Sequence, residues 1–413
     1  MGSSPWVECE LADVCSSIDY GYTAAARDDS RGVRFLRITD IVQPHLAWDT
    51  VPYVEADEAT FRKYRLDDGD IVLARTGAST GSSAYIQNPP EAVFASYLVR
   101  LKIKPTFDAR FVSYYLKSDL FWSYIRGVLG DKSAQPNASA STMVRAPFRA
   151  PSDIVEQRRI SGILGALDDK IELNRRMSQT LESMARTVFK SWCEPSDSNC
   201  DQAASSELSD VTSAWKRVSL VDLADVVRDV VDPARWPDRV FSHYSIPAFD
   251  QGRQPTTELG SEIGSIKFQV APGSVMVSKL NPSIPRVWLV DEEPAANPAA
   301  STEFMILRPR HPATTAYLYC LARSSGFRSD LEALATGTSG SHQRAQRDAV
   351  LAMQVTIPPP ARIDGFDGLA SPLLRRVARC QSSAAALVAI REALLPTLLS
   401  DHMAEVAARS PGS

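Results

Sequence analysis

The side chains best suited to metal, redox or nucleophilic chemistry are few and scattered in this sequence. The chain has six cysteines and five histidines among its 413 residues. The cysteines are Cys9, Cys15, Cys193, Cys200, Cys320 and Cys380. They form no CxxC pair, and the histidines add no metal-ligand spacing to them. We therefore expect no metal site and a reducing cytoplasmic setting.

Methyl transfer to adenine is a second chemical possibility. Asn88-Pro89-Pro90 looks like the start of the catalytic loop of adenine amino-methyltransferases, in which an aromatic residue follows and stacks on the flipped base. Glu91 follows here instead, and neither "RTGASTGSS" nor "LGSEIG" has the strand-turn-helix context that binds S-adenosylmethionine. No Walker lysine or nuclease carboxylate cluster is present. We expect a plain turn at residues 88–90, no catalytic residues and no cofactor.

The element that could position binding residues is a long helix in the middle of the chain, "EQRRISGILGALDDKIELNRRMSQTLESMARTVFKSWC", residues 156–193. At about 1.5 Å per residue it would extend roughly 55 Å. Apolar or small residues recur every three or four positions, which predicts a coiled-coil seam, and Asn174 is the residue type that fixes register within such a seam. The seam residues are Ile160, Leu164, Leu167, Ile171, Asn174, Ser178, Leu181, Ala185, Val188 and Trp192.

A second seam follows at a constant offset of 206 residues, so the chain contains an internal duplication. Only Arg391 breaks this second seam, whose positions are Phe366, Ala370, Leu373, Val377, Cys380, Ala384, Leu387, Arg391, Leu394 and Leu398. Three further pairs of segments repeat: "LADVC" with "LADVV", "GDIVLART" with "GSVMVSKL", and "LGDKSAQPNAS" with "TGTSGSHQRAQ". We expect domains at 1–150 and 215–358, helices at 151–193 and 359–413, and a linker at 194–214.

The amino-acid composition is typical of globular domains and does not indicate a binding partner. The chain is 44% hydrophobic and 23% charged, and no apolar run approaches the roughly 20 residues that span a bilayer. Regions 1–150 and 215–358 carry net charges of −1 and 0, so neither has the basic excess of a self-sufficient nucleic-acid binder. The linker 194–214 carries −5 and is predicted to be a flexible, solvated connector.

The coarse pattern inside the domains is mixed α and β, which gives an α+β fold class. Strands are predicted at "RFLRITDI", "GDIVLART", "SSAYIQ" and "SYLVRLKI", and again at "GSVMVSKL", "PRVWLV" and "EFMILRP". One helix is predicted over "DARFVSYYLKSDLFWSYIRGVL", residues 108–129, and one over "TTAYLYCLARSSGFRSDLEALA", residues 314–335. The predicted fold is therefore two repeated α/β globular domains separated by two long helices that form a coiled coil.

This order of elements resembles a known family. A GDIL-like strand, a helix, a Gly-Ser-x-Gln-Pro-Asn-like loop and a proline-rich exit into the long helix resemble the specificity subunit of type I restriction-modification systems. The likeness covers essentially the whole chain, and "REALLPTLLS" is similar to the usual ending of the family. The second helix departs from the pattern, since "IPPPARIDGFDG" lacks the Glu156-Gln157 pair and Pro396 falls within its last turns.

The resemblance implies a DNA-reading role. Each globular unit would be a target recognition domain for one half of a split sequence in double-stranded DNA. The two helices would pair antiparallel as a spacer that fixes the distance between the half-sites. Partner methylation subunits, two per complex, would methylate adenine, and restriction subunits would act through the same complex. The chain itself would be a non-catalytic, cytoplasmic specificity subunit without a membrane segment.

Candidate DNA contacts lie at the same two places in each half. Arg reads guanine and Asn reads adenine through paired hydrogen bonds, while Lys and Thr suit phosphates. Where the strands "GDIVLART" and "GSVMVSKL" end, the candidates are Arg75, Thr76, Lys279 and Asn281. In the two polar loops they are Lys132, Ser133, Gln135, Ser341, His342, Gln343 and Arg344. The alternative at these positions is ordinary solvated loop residues or a structural cap.

Two other functions stay open at the level of sequence. One is a scaffold whose coiled coil binds other proteins and that recognises no DNA. The other is a standalone DNA methyltransferase, which the missing cofactor turn disfavours. An absence of DNA binding by the assembled complex would favour the scaffold. Methyl transfer by the isolated chain would favour the standalone methyltransferase.

Overall fold

The fold is taken from a computed structural model that describes residues 5–28, 30–43, 46–129, 137–195, 215–290, 296–336 and 343–400. The predicted linker 194–214 lies outside these ranges from residue 196 onward. The chain divides into two units. Unit 1 comprises Met1–Glu172 and Ala386–Ser413, and unit 2 comprises Leu173–Ala385.

Unit 1 begins with a mixed α/β domain. Its strands are β1 (Trp6–Glu10), β2 (Cys15–Tyr20), β3 (Val33–Leu36), β4 (Tyr53–Val54), β5 (Ile71–Ala74), β6 (Ser83–Tyr85), β7 (Ala92–Phe94), β8 (Leu98–Ile103) and β9 (Pro147–Pro151). Its helices are α1 (Ile38–Ile41), α2 (Glu58–Tyr64), α3 (Ala109–Tyr115), α4 (Asp119–Leu129) and α5 (Ala140–Met143), with a 3-10 turn at Leu11–Val14. The long helix α6 (Ile154–Cys193) follows.

Unit 2 contains the second domain. Its strands are β10 (Lys216–Ser219), β11 (Ala224–Val226), β12 (Val230–Val231), β13 (Val240–Tyr244), β14 (Thr256–Leu259), β15 (Lys267–Gln269), β16 (Val275–Ser278), β17 (Val287–Leu289), β18 (Pro298–Ala300), β19 (Phe304–Pro309), β20 (Ala335–Thr336), β21 (Arg344–Ala345) and β22 (Gln354–Ile357). Its helices are α7 (Leu220–Leu223), α8 (Ile246–Asp250), α9 (Thr315–Ala322), α10 (Ser325–Ala333) and α11 (Arg347–Leu351), with 3-10 turns at Pro233–Arg235 and Gly260–Glu262. The second long helix is α12 (Pro360–Leu398).

The two domains share the topology of their central sheets. The central sheet of unit 1 is antiparallel with the order β2-β8-β5-β6, and that of unit 2 is antiparallel with the equivalent order β11-β19-β16-β17. Each domain also has a second sheet that contains one parallel pair, β3 with β7 and β13 with β18. A two-stranded ribbon pairs the first strand of each domain with its last, β1 with β9 and β10 with β22. The repeated fold predicted from the sequence is confirmed.

The long helices pack against each other and run antiparallel. In unit 2, Asn174 Nδ2 donates a hydrogen bond to Ser383 Oγ at 3.1 Å, and the Phe189 and Phe366 rings lie 5.5 Å apart. Residue numbers therefore rise along α6 as they fall along α12. In unit 1, Leu398 of α12 packs in the same core as Leu164 of α6. The antiparallel coiled coil expected from the sequence is confirmed.

The helices of each domain are shorter than predicted. Residues 108–129 form α3 and α4 rather than one helix, and residues 314–335 include the two helices α9 and α10. Ser118 Oγ accepts a hydrogen bond from the Phe121 N–H, and Ser324 Oγ accepts one from the Phe327 N–H. A serine in this position begins a new helix, so the capping residue overrides the continuous helical periodicity. The predicted strand at residues 34–41 also ends early, since α1 follows β3.

Candidate nucleic-acid interface

Three chain segments meet where the central strand β5 of unit 1 ends. The Arg75 N–H donates to the Tyr97 carbonyl at 3.1 Å, and the Ala138 N–H donates to the Arg75 carbonyl at 3.0 Å. Thr76 forms a β-bridge with Asn137. The strand end, the turn before β8 and the end of the polar loop therefore lie side by side. We call Arg75, Thr76, Tyr97 and Asn137 edge cluster 1.

The same arrangement recurs in unit 2 at the end of β16. The Lys279 N–H donates to the Glu303 carbonyl at 2.9 Å, and the Ala345 N–H donates to the Lys279 carbonyl at 3.0 Å. The Asn281 N–H donates to the Gln343 carbonyl at 2.8 Å, and Leu280 forms a β-bridge with Arg344. We call the residues of this group edge cluster 2. They are Lys279, Asn281, Glu303, Gln343 and Arg344.

The structure thus brings together candidates that are far apart in sequence. Arg75 and Thr76 lie beside the end of the first polar loop, while Lys279 and Asn281 lie beside Gln343 and Arg344. The other candidates in the polar loops lie outside the described residues. These are Lys132, Ser133, Gln135, Ser341 and His342.

Arg75 in edge cluster 1 is supported by an aromatic ring. Its guanidinium carbon lies 5.0 Å from the centre of the Tyr20 ring, and its Nε is buried without a hydrogen-bond partner among the described residues. The Tyr20 hydroxyl accepts a hydrogen bond from the Ala140 N–H at 3.1 Å, which fixes the ring against α5. A planar guanidinium that is stacked in this way can donate two parallel hydrogen bonds to a base edge.

Arg344 in edge cluster 2 is held by a carboxylate. Its Nε and Nη2 atoms donate to Glu303 at 3.0 and 2.9 Å. The hydrogen bonds from Arg344 hold the pKa of Glu303 below its usual value, so the carboxylate is ionised at neutral pH. Partial burial lowers the pKa of Lys279, although the neighbouring Glu303 opposes that shift. The cluster therefore combines two cations with one carboxylate.

Asn281 has a backbone role as well as a polar side chain. Its φ is +49°, and Gly77, which lies at the equivalent place after β5 in unit 1, has a φ of +75°. Asparagine tolerates this left-handed conformation better than most residues, which explains why it can replace glycine here. Its Oδ1 is buried without a hydrogen-bond partner among the described residues, so the side chain is not used within the fold described.

Sequence reasoning missed Tyr20, Tyr97, Asn137 and Glu303. Tyr97 and Glu303 were included in or beside predicted strands, but each precedes its strand and lies in the turn opposite the strand end. The available signal was the duplication itself, since "SYLVRL" and "TEFMIL" are equivalent segments that differ at this position. Only the pairing of β5 with β8 places that position next to Arg75.

The predicted seam residues differ in burial. In α6, Ile160, Leu164 and Asn174 are buried, and Leu167, Ile171, Leu181 and Val188 are half-buried. In α12, Val377 is buried, and Leu373, Leu387 and Leu394 are half-buried. Near the end of α6 the buried residues are Phe189 and Cys193, while Trp192 is 38% exposed. An α-helix has 3.6 residues per turn, so its buried face drifts from a 3.5-residue seam over this length.

The metal-binding and nucleophilic side chains of the described residues are dispersed or protonated. Within it, no group of three or more His, Cys, Asp or Glu residues could hold a metal ion. Burial raises the pKa of the Cys15, Cys193 and Cys320 thiols to about 12, so they are protonated at neutral pH. The Asn88 N–H donates to Asp68 at 2.7 Å from a left-handed conformation, which is turn geometry. None of the described helices is long and apolar enough to cross a membrane.

Comparison with known proteins finds similarity to DNA specificity domains and subunits. Residues 3–183 match the family model for the type I restriction modification DNA specificity domain. The type I restriction enzyme HindI specificity subunit of Haemophilus influenzae is 26% identical over 196 residues, which span 46% of this chain and 41% of that protein. The MjaIX specificity subunit of Methanocaldococcus jannaschii is 24% identical over 356 residues, which span 80% of this chain and 74% of that protein.

A solved structure agrees over the whole fold. The crystal structure of a type I restriction-modification system S subunit from M. genitalium covers 96% of this chain and 97% of its own, with a TM-score of 0.62 and 13% sequence identity. At that identity the likeness concerns the fold alone. The matched family model describes a DNA specificity domain, and both relatives are named type I restriction enzyme specificity subunits. The chain is similar to specificity subunits of type I restriction enzymes, and the match to the family model covers residues 3–183.

Proposed function

We propose that the chain reads a bipartite double-stranded DNA target, one half with each unit, and directs the chemistry of partner subunits to that target. Edge cluster 1 contacts one half-site, and edge cluster 2 contacts the other. Methylation subunits, two per complex, then methylate adenine, and restriction subunits cleave unmodified DNA through the same complex.

The observation that carries this proposal is the equivalence of the two edge clusters. In each unit the end of a central strand, the turn before the neighbouring strand and the end of a polar loop are joined by backbone hydrogen bonds. The residues at the three places are Arg75, Tyr97 and Asn137 in unit 1, and Lys279, Glu303 and Arg344 in unit 2. One scaffold that carries different side chains is what reading two different half-sites requires.

The base-reading roles follow from the side-chain types. Arg75 donates a pair of hydrogen bonds to guanine in this proposal, and Thr76 contacts a phosphate. Lys279 supplies a phosphate contact, while Asn281, Gln343 and Arg344 can contact base edges. Lys132, Ser133, Gln135, Ser341 and His342 remain proposed contacts from the two polar loops. The near-neutral charge of both domains fits a subunit whose partners add phosphate contacts.

The two long helices are the proposed spacer between recognition domains at 1–150 and 215–358. Helix α6 has 40 residues and α12 has 39, so each is about 60 Å long. The division between the units falls inside both helices, after Glu172 and after Ala385. Each helix therefore contributes to both units. Half-sites read from one side of a duplex lie about 34–36 Å apart, a distance that helices of this length can set.

The chemistry is assigned to the partners rather than to this chain. No nucleotide-binding loop or methyltransferase cofactor turn was found in the sequence, so the proposed subunit is non-catalytic. The assembled complex acts in the cytoplasm, where the host DNA is accessible to it.

Mapping of methylated adenines tests the proposal directly. The chain is expressed with its methylation subunits in a host that lacks adenine methylation, and the modified positions are sequenced. We expect one motif made of two short specified sequences that flank an unspecified gap of constant length. A single contiguous motif, or methylation without sequence preference, would contradict the proposal. The methylation subunits expressed without this chain provide the control and should leave the motif unmethylated.

A further inference from the structure

One position is structurally equivalent in the two units yet carries a different side chain in each. Tyr97 directly precedes β8, and Glu303 directly precedes β19. The Tyr97 carbonyl accepts a hydrogen bond from the Arg75 N–H, and the Glu303 carbonyl accepts one from the Lys279 N–H. Each residue therefore lies directly across from the strand-end cation of its own edge cluster. We call it the turn position.

The two edge clusters differ more in side-chain chemistry at the turn position than at the strand ends. Both strand ends carry a cation, Arg75 in unit 1 and Lys279 in unit 2. The turn position changes from an aromatic phenol to a carboxylate. Two half-sites that differ in sequence must be discriminated by side chains that differ in hydrogen-bonding capacity and shape. The turn position provides such a difference next to each proposed phosphate- or base-contacting cation.

Tyr97 presents its ring to solvent. The residue is 61% exposed, which is uncommon for a large side chain with so much apolar surface. Tyr20 on β2, whose ring lies against the Arg75 guanidinium, is 46% exposed. Two exposed tyrosines next to one arginine form a surface on which a base or sugar face can pack. The phenol of Tyr97 also adds one donor and acceptor at its tip.

Glu303 acts through another residue. Its two carboxylate oxygens accept separate hydrogen bonds from Nε and Nη2 of Arg344, so the guanidinium plane is fixed at two points. Nη1 is not used in this pair. A fixed guanidinium loses less conformational freedom when it binds a base edge than a freely rotating one does. Glu303 is therefore suited to be a positioning residue for Arg344.

We infer that the turn position determines specificity in both units. The exposed Tyr97 ring contacts the bases or sugars of the half-site read by unit 1, and Glu303 orients Arg344 towards the half-site read by unit 2. This inference rests on the proposed function. It predicts that each substitution changes the recognition of one half-site only.

The test uses the full chain with its methylation subunits and the mapping of methylated adenines described above. Tyr97→Ala should allow at least tenfold more methylation of sites that differ in one base of the unit 1 half-site, with the other half-site and the gap unchanged. Tyr97→Phe keeps the ring and should retain the original motif. Glu303→Gln removes the charge that orients Arg344. It should reduce the discrimination against changed bases in the unit 2 half-site alone. If the Ala variant does not fold, Tyr97→Gln replaces it.

Two control variants lie in the same units but at residues outside the edge clusters. Leu120→Ala changes another large exposed side chain of unit 1, on α4. Asp225→Asn breaks an exposed pair with Arg310, which follows β19 at the end opposite to Glu303. Both controls should leave the motif unchanged.

The outcomes separate this inference from the proposed function. An unchanged bipartite motif in Tyr97→Ala and Glu303→Gln, or relaxation that falls in the same half-site for both, would overturn the inference while the proposed function stands. A wild-type complex without a bipartite motif would overturn the proposed function, and this inference with it.

Discussion

At the scale of single residues, two acidic side chains of α6 join the helix to the domains. In unit 1, Asp168 accepts hydrogen bonds from the Tyr114 hydroxyl and from Arg391, each at 2.6 Å. In unit 2, Glu182 pairs with Arg323 at 2.6 Å and accepts a hydrogen bond from the Tyr319 hydroxyl. In each domain, a tyrosine on the helix that follows β8 or β19 therefore donates a hydrogen bond to a carboxylate of α6.

The pair in unit 2 should contribute strongly to stability. The Glu182 and Arg323 side chains are only 11% and 15% exposed, so Glu182→Ala leaves a buried cation unpaired. We expect it to lower the free energy of unfolding by about 3–5 kcal/mol. Glu156→Ala is the matched control, because it removes a surface pair with Arg159 on the same helix and should cost less than about 1 kcal/mol. Denaturant unfolding of both variants measures the difference, and equal losses would contradict the assignment.

The pair in unit 1 should make stability depend on acidity. Burial alone would raise the pKa of Asp168, but the Tyr114 hydrogen bond and the nearby Lys117 and Arg391 charges hold that pKa below its usual value. The folded-state pKa is therefore depressed, and the stabilisation is present above the unfolded pKa of about 3.9 and is lost as the pH falls through the lower folded value. Relative to Asp168→Asn, the wild type should keep a constant advantage above about pH 5 and lose it in stronger acid. An advantage that grows on acidification would contradict this.

Arg75 offers a residue-scale test of base reading. Arg75→Lys keeps the charge but removes the fork that donates two parallel hydrogen bonds. In the assembled complex it should reduce discrimination against a changed base pair in the unit 1 half-site by about 1–3 kcal/mol, measured with duplexes that carry single substitutions. Arg62→Lys changes an exposed arginine of α2 that pairs with Glu58, and it should have no such effect. Equal discrimination by the wild type and Arg75→Lys would show that Arg75 does not recognise a base.

At the scale of elements, sequence periodicity predicts the helix pair well and its buried face less well. Hydrophobic spacing placed the long helices, because residues that recur every three to four positions share one face. It could not show where the domains also cover the helix. Phe189 is buried beside Tyr317 of α9. The periodicity of α6 alone cannot predict this contact, because Tyr317 belongs to a different helix. Serine caps at 118 and 324 divide apparently continuous helices for a similarly local reason.

The same distinction gives a prediction for α6. Leu164 is fully buried in the unit 1 core, whereas Leu173, on the same helix, is 50% exposed. Leu164→Ala should lower the free energy of unfolding by about 2–5 kcal/mol, because it removes apolar contacts and leaves a cavity. Leu173→Ala should cost less than about 1 kcal/mol. Thermal and denaturant unfolding distinguish the two, and similar costs would place the buried face of α6 elsewhere.

At the scale of the whole molecule, the duplication was visible in the sequence, but the edge clusters were not. Repeated segments such as "GDIVLART" and "GSVMVSKL" revealed two domains. The residues that meet at each strand end come from three distant segments, and only strand pairing brings them together. Tyr97 illustrates the limit, since its neighbour Arg75 is 22 positions away in the printed sequence. Fold is therefore more predictable here than the composition of the site.

The spacer role of the helices is the central claim for the whole molecule. It can be tested by inserting one heptad after Glu172 and a matching heptad after Ala385. The antiparallel register that pairs Asn174 with Ser383 places these two points opposite each other. Both points are also where the division between the units falls, so neither edge cluster is altered. Seven residues keep the buried face continuous and add about 10.5 Å of helix.

Mapping of methylated adenines in a host that expresses the lengthened chain with its methylation subunits is the most direct measurement. B-DNA rises about 3.4 Å per base pair, so we expect a gap longer by roughly three base pairs between two unchanged half-sites. Total methylation should fall, because three extra base pairs also rotate one half-site about the duplex axis. A chain with a heptad inserted in α6 alone is the control and should fail to methylate the lengthened motif. Methylation at the original gap, or new specified bases within either half-site, would contradict the claim that the helices set the spacing.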